Sequence, residues 1–172
     1  MVPHTRRAAS GASEPGWGGP GIMARIIRSV PAAHGTVREA MSEIPAGFEP
    51  SRRTSPFLDL IGPVYTSNGE RGILLGLRAR TEHLNTRGFV HGAILAALLD
   101  VICGRNCAVR IGQPGLVTVS LTVDYVASAR EGDWLEASAT VTRVGRRLAF
   151  AHGRVEAAGK PVATASGVFV VG

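Results

Sequence analysis

Between Gly92 and about Val109 the chain holds GAILAALLDVICGRNCAV, a run dominated by Ala, Leu and Ile and free of proline. It is long enough for four to five helical turns and apolar on almost every side, which predicts a helix that the rest of the fold must enclose. The residues beyond it restrict the enclosure to strands. In LVTVSLTVDYVAS the residues Val117, Val119, Leu121, Val123 and Tyr125 alternate with Thr118, Ser120, Thr122 and Asp124, the two-residue period of a half-buried strand. Residues 133–144, 147–157 and 160–171 continue the pattern, joined by turns containing Gly145 and Gly159 that suit antiparallel neighbours. Ahead of the helix, residues 57–66 and 71–80 flank TSNGE, whose Asn68-Gly69 pair predicts the tight turn of a hairpin. The expected architecture is α+β, a curved, mainly antiparallel sheet wrapped around one long central helix. One sheet leaves part of such a helix uncovered, and that remainder predicts self-association.

The chain has 172 residues, 45% of them hydrophobic, enough for one domain with a sizeable core. Residues 1–40 are rich in Gly, Pro, Ala and Ser and predict a mostly disordered leader, with the domain over 41–172 and a short helical piece near 37–43 at the junction. Gly16, Gly18 and Gly21 match a GxGxxG pattern, but no strand precedes them and Pro20 interrupts them, so no nucleotide loop is expected. Five leader arginines against Glu14 and Glu39 carry half of the net charge of +6. The domain is then too weakly basic to predict a nucleic-acid surface. No uncharged apolar run reaches the roughly 18 residues of a membrane span, so no membrane association is expected. Cys103 and Cys107, four apart on one helix face, have poor disulfide geometry and lack a second ligand pair at zinc-like spacing. They read as small core hydrophobes in a reducing cytoplasm, with no metal.

Asp100 falls near the middle of the apolar run. A lone ionised carboxylate in an apolar interior is costly unless it is paired or changes protonation state. It therefore needs either a structural partner or a catalytic role. Asn85, Gly88, His91 and Gly92 crowd the start of the same helix, where unpaired N–H groups and the positive end of the dipole bind developing negative charge. Glycine at 92 would let a substrate carbonyl approach that backbone. Singly, each of these residues reads as an ordinary loop or packing residue, as do His83 and His152.

Together, the stretch from Asn85 through Gly88, His91, Gly92 and Ala93 to Asp100 resembles the N-x-x-G-x-x-H-G-G-x-x-x-x-x-x-D signature of hotdog-fold acyl-CoA thioesterases of the phenylacetate-pathway type. The similarity runs from about residue 45 to the C-terminus and includes GFEP, TVSLTVDYVASA and VGRRLAF. The resemblance implies that the Gly92 amide polarises a thioester carbonyl, that His91 and Asn85 orient substrate or the loop, and that Asp100 is the nucleophile or the general base for water. It places Thr118, with Ser120 close by, where related enzymes have a hydroxyl that holds the water or the acid. Gly88 and Ala93 would border the substrate, with Ala93 standing in place of the second glycine of the signature. Arg146 and Arg147, in a predicted turn, are candidates for the phosphates of coenzyme A, although solvated turn arginines are commoner than ligand-binding ones. No cofactor is implied beyond the coenzyme A of the substrate.

Eight residues of helix separate Gly92 from Asp100 by about 12 Å along the axis, too far for both to reach one carbonyl carbon. Two antiparallel helices across a dimer interface would bring Asp100 of one subunit to Gly92 of the other, so the expected active unit is a homodimer, with further pairing into a homotetramer left open. A non-catalytic hotdog module that only binds acyl-CoA is the alternative, and a buried carboxylate speaks against it. The D-x-N-x-x-H constellation expected of a hotdog dehydratase is missing, and no G-x-S-x-G elbow of a serine hydrolase occurs.

Overall fold

The computed structural model describes residues 44–70 and 72–171. The leader and the helical piece expected near 37–43 lie outside the described residues. In chain order come β1 (Glu49–Pro50), α1 (Pro56–Ile61), β2 (Val64–Gly69), β3 (Gly72–Arg78), a 3-10 turn (Thr81–His83), α2 (Gly92–Ile111), β4 (Val117–Tyr125), β5 (Trp134–Val144), β6 (Leu148–Ala157) and β7 (Lys160–Val170). The strands form one sheet in the spatial order β1-β2-β3-β5-β6-β7-β4, and every neighbouring pair is antiparallel. β4 comes directly after the helix yet takes the far edge. α2 therefore carries the chain across the sheet from β3 to that edge.

The core lies between α2 and the inner face of the sheet. Leu95, Leu98, Leu99, Ile102, Cys103 and Cys107 are buried, recurring every three or four residues so that they share one face of the helix. They meet a sheet surface of small buried side chains, among them Ala137, Ala149, Ala151 and Ala163. A Cβ on Gly153 would lie 2.7 Å from Cys103 Sγ and 3.1 Å from Leu99 Cδ2, so glycine at that point of β6 sets how closely the helix approaches. Both cysteines are free, and burial, with the neighbouring Cys107 and Asp100 adding to it, pushes the Cys103 thiol up to about 12. By length (20 residues) and hydropathy (1.6) alone α2 could span a bilayer. Its apolar stripe is occupied by the sheet instead.

Residues 57–61 are helical rather than the start of a strand. Ser55 caps α1 by accepting from the Leu58 N–H at 3.3 Å, proline opens the helix, and Leu58 and Ile61 turn inward at helical spacing. The two-residue strand β1 has no counterpart in the sequence pattern. The hairpin of β2 and β3 forms, but Asn68 and Gly69 belong to β2, and the chain reverses between Gly69 and Gly72. The cause is tertiary. Buried Asn106 of α2 accepts from the Ile73 N–H at 2.8 Å and donates to the Ile73 carbonyl at 3.0 Å, and its Oδ1 lies 2.2 Å from where a Cβ on Gly72 would be. The helix thus fixes the register of the hairpin. As expected of one sheet, α2 is enclosed on one side only, with Ala93 exposed and Ala96, Ala97 and Asp100 partly so. One further expectation changes. β4 is not half-buried, because it is an edge strand: Val117, Val119 and Tyr125 are 66%, 57% and 55% exposed.

Candidate active site

The start of α2 is held by a rigid loop. The Asn85 side chain accepts from the Arg87 N–H at 2.9 Å and the Phe89 N–H at 3.3 Å, while its backbone N–H donates to the Phe89 carbonyl at 2.8 Å and its carbonyl accepts from Gly88 at 3.0 Å. Gly88 has φ +76°, the left-handed conformation that favours glycine at such a turn. Asn85 and Gly88 thus shape the loop. Behind it lies His83, whose Nδ1 accepts from the Arg80 N–H at 3.0 Å and whose Nε2 lies 2.8 Å from the Ile61 carbonyl. The ring must then be neutral with its proton on Nε2, and burial lowers its pKa below the ordinary histidine value. The His83 carbonyl accepts the His91 N–H at 2.8 Å.

His91 is the N-cap. Its Nδ1 accepts from the Ala93 N–H at 3.0 Å and its carbonyl from the Ile94 N–H at 2.9 Å. With those two amides engaged, the Gly92 N–H is left without a hydrogen-bond partner among the described residues, the state an oxyanion-binding donor requires. The Tyr125 hydroxyl donates to the Gly92 carbonyl at 3.1 Å. A Cβ at position 92 would stand 3.0–3.2 Å from the Tyr125 ring and hydroxyl, so any side chain here would press on this tyrosine. In the sequence Tyr125 is only one residue of an alternating strand.

Eight residues further along α2, Asp100 is partly buried rather than enclosed. Its Oδ1 accepts from the Thr118 hydroxyl at 2.7 Å. Strict alternation along β4 would place Thr118 on the face opposite Leu121 and Val123, away from the helix. A β-bulge between Thr118 and Ser120 reverses the phase: Thr118 pairs with buried Phe169, whereas Ser120 pairs with Val168. The bulge is what aims Thr118, and not Ser120, at Asp100. Gly92 with Tyr125, and Asp100 with Thr118, therefore form two candidate half-sites at opposite ends of β4. The roughly 12 Å of helix between them keeps one chain from uniting them.

Arg146 and Arg147 are exposed in the turn between β5 and β6. That turn is at the Thr118 end of the sheet, since Val170 pairs with both Val117 and Leu148, and β4 is two strands, or about 10 Å, away. Phe89 packs beneath the Arg130 guanidinium, 5.1 Å from its ring centroid. Exposed His152 bonds the Ser166 hydroxyl at 3.0 Å on the outer face of the sheet, remote from α2.

A single antiparallel sheet packed on one long helix, with the helix start and its mid-point carboxylate both at the open edge, is the hotdog layout. The Thioesterase superfamily profile matches residues 87–164. A Pseudomonas aeruginosa protein named "Putative esterase" is 41% identical over 131 residues, covering 75% of this chain and 98% of that protein. Among solved structures, a mutant of the phenylacetic acid degradation protein PaaI from Thermus thermophilus aligns at TM-score 0.61 and 26% identity over 67% of this chain and 98% of that one. A Bacillus halodurans protein determined with CoA aligns at TM-score 0.60 and 28% identity, covering 70% of this chain and 81% of that one. The chain belongs to the thioesterase superfamily.

Proposed function

We propose that the protein hydrolyses an acyl- or aryl-CoA thioester to the free acid and coenzyme A, and that it does so as a dimer. The observation that carries this reading is the Thr118–Asp100 hydrogen bond of 2.7 Å on the same open side of α2 as the uncommitted Gly92 amide. The named relatives support the choice of substrate: one is an esterase by name, one is a phenylacetic acid degradation protein and one was solved with CoA. Pairing β4 of two chains about a two-fold axis would extend the sheet and set the two α2 helices side by side and antiparallel, with small Ala93, Ala96 and Ala97 on the facing side. Asp100 of one subunit would then meet Gly92 of its partner.

In that composite site the thioester oxygen accepts from the Gly92 N–H, and the helix dipole stabilises the charge that develops on it. Thr118 occupies Asp100 Oδ1. Oδ2 is left to take a proton from water as the water oxygen bonds the carbonyl carbon, or to attack that carbon itself, giving a mixed anhydride that water then hydrolyses to the free acid and Asp100. The C–S bond breaks, and coenzyme A leaves as thiolate and is protonated. Asn85 and His91 shape the loop and the cap, Gly88 and Ala93 would border the approach, and Arg146 and Arg147, exposed in their turn, would meet the coenzyme A phosphates. Water is the sole co-substrate this route needs. The two free, buried cysteines suit a reducing, cytoplasmic setting.

The test is thiol release from aryl-, short-, medium- and long-chain acyl-CoAs by the protein and by its Asp100→Asn variant. Turnover should fall at least about a hundredfold in the variant, of the order seen when an acid–base group is removed, with the folded state retained. Turnover of no thioester, with CoA binding intact in both proteins, would instead establish a binding module.

A further inference from the structure

Away from β4, a cavity of about 330 Å³ lies between the β1 segment, β2 and α2. Arg52, Arg53 and Arg105 line it together with the hydroxyls of Ser51 and Ser67 and the amide of Asn68, and Glu49 is the single carboxylate in its wall. Arg105 is half-buried. Its Nη1 donates to Ser51 Oγ at 3.1 Å and its Nη2 to the Arg53 carbonyl, two acceptors that carry no net charge. Burial, and then the charge of Arg53, lower the Arg105 pKa. Among the described residues none of these three arginines forms an ion pair.

A partly desolvated guanidinium beside a second one, neither of them ion-paired to a carboxylate, leaves a positive potential that an anion would relieve. The neutral contacts to Ser51 and Arg53 also fix Arg105 in one orientation before any ligand arrives, which lowers the ordering cost of binding. Three cations against one carboxylate match the charge of about −2 on a phosphate monoester, and the planar guanidinium forks match its oxygens. We propose that this cavity is a phosphoryl-binding site separate from the Asp100 and Gly92 half-sites. Its volume exceeds that of a bare phosphate group. The ligand is therefore either free phosphate or the phosphate of a nucleotide such as coenzyme A. The inference does not depend on thioester hydrolysis, because the readout is binding.

Calorimetric titration and thermal unfolding of the full chain with inorganic phosphate, against chloride at matched ionic strength, test it. Phosphate should bind and raise Tm, and its affinity should weaken at least tenfold in Arg105→Gln. The double variant Arg52→Gln, Arg53→Gln changes exposed side chains only and keeps the test open if Arg105→Gln fails to fold. Coenzyme A and its 3′-dephospho form then identify the source. Tighter binding of coenzyme A that is lost in the variants assigns the site to the nucleotide, and coenzyme A binding that the variants leave unchanged, with phosphate binding lost, assigns it to free phosphate. A phosphate response no larger than that of chloride, or one unchanged in both variants, overturns the proposal.

Discussion

The two edges of the sheet are built differently. β1 is two residues long, consists of Glu49 and Pro50, and leads into Arg52 and Arg53. A short edge carrying proline and charge resists pairing with another strand. β4 is nine residues long, lacks proline and holds one charged residue, Asp124, near its end, and just past that end Val126 is 58% exposed. One edge is finished as a solvent surface and the other is not. Thr118 and Tyr125, the contacts of both half-sites, lie at the two ends of the unfinished edge.

The strongest way to break this comparison is to ask whether β4 joins two chains into one site. Proline is tolerated at the first position of a helix, so Gly92→Pro deletes the candidate oxyanion donor, pressing on the Tyr125 ring without breaking α2. Gly92→Pro and Asp100→Asn homodimers should each lose about a hundredfold or more in kcat. A 1:1 mixture refolded together should recover about one quarter of the parental activity, since half of the dimers then carry one intact site. No recovery from verified mixed dimers would rule out a shared site. Next in size, Val119→Lys on β4 should weaken association at least about a hundredfold in sedimentation equilibrium, charge at an edge being a natural block to pairing. Glu49→Lys on β1 should leave association unchanged, and equal sensitivity of both edges would dissolve the distinction.

The two ends of β4 can then be compared with each other. Thr118→Val removes a hydrogen bond to a carboxylate and should cost about tenfold or more in kcat, the range for bonds to charged groups. Tyr125→Phe keeps the ring against Gly92 and removes only a neutral bond, so a loss of about fivefold is expected. Equal losses would mean that Tyr125 holds more than the first turn of the helix.

Much of this is legible in the sequence because it rests on local pattern. The length and all-round apolarity of 92–109 mark the helix, the alternation after it marks four strands, and the resemblance of Asn85 to Asp100 to a thioesterase signature points to the candidate site residues. The hidden parts depend on contacts distant in sequence. The bulge beside Thr118 leaves the alternation in the sequence unchanged and emerges only when β4 is registered against β7. The hairpin turn shifts because Asn106, 33 residues beyond Ile73, binds its backbone. Gly92 packs closely on Tyr125, a neighbour that spacing along the helix cannot reveal. α1 differs from its expected strand for a local reason, since Ser55-Pro56 is a helix-start signal that the apolar residues after it mask.

The smallest expected effect separates the edge from the interior that supports it. Folding keeps His83 neutral because burial disfavours its charged form, whereas the unfolded chain protonates it near the ordinary value of 6.5. The folded pKa is the lower of the two, so the unfolded state binds more protons between them and stability rises with pH across that window. This contribution is complete above about 6.5 and is lost as pH falls through the folded value. Glutamine can accept from the Arg80 N–H and donate to the Ile61 carbonyl without titrating, so His83→Gln should fold with a Tm that declines less between pH 7 and pH 5. Because His83 acts on the loop before α2 and not on β4, the variant's state of association should equal the parent's. Parallel declines in Tm for the two proteins would show that His83 titrates alike in both states, and that the support behind the helix start does not depend on its neutral form.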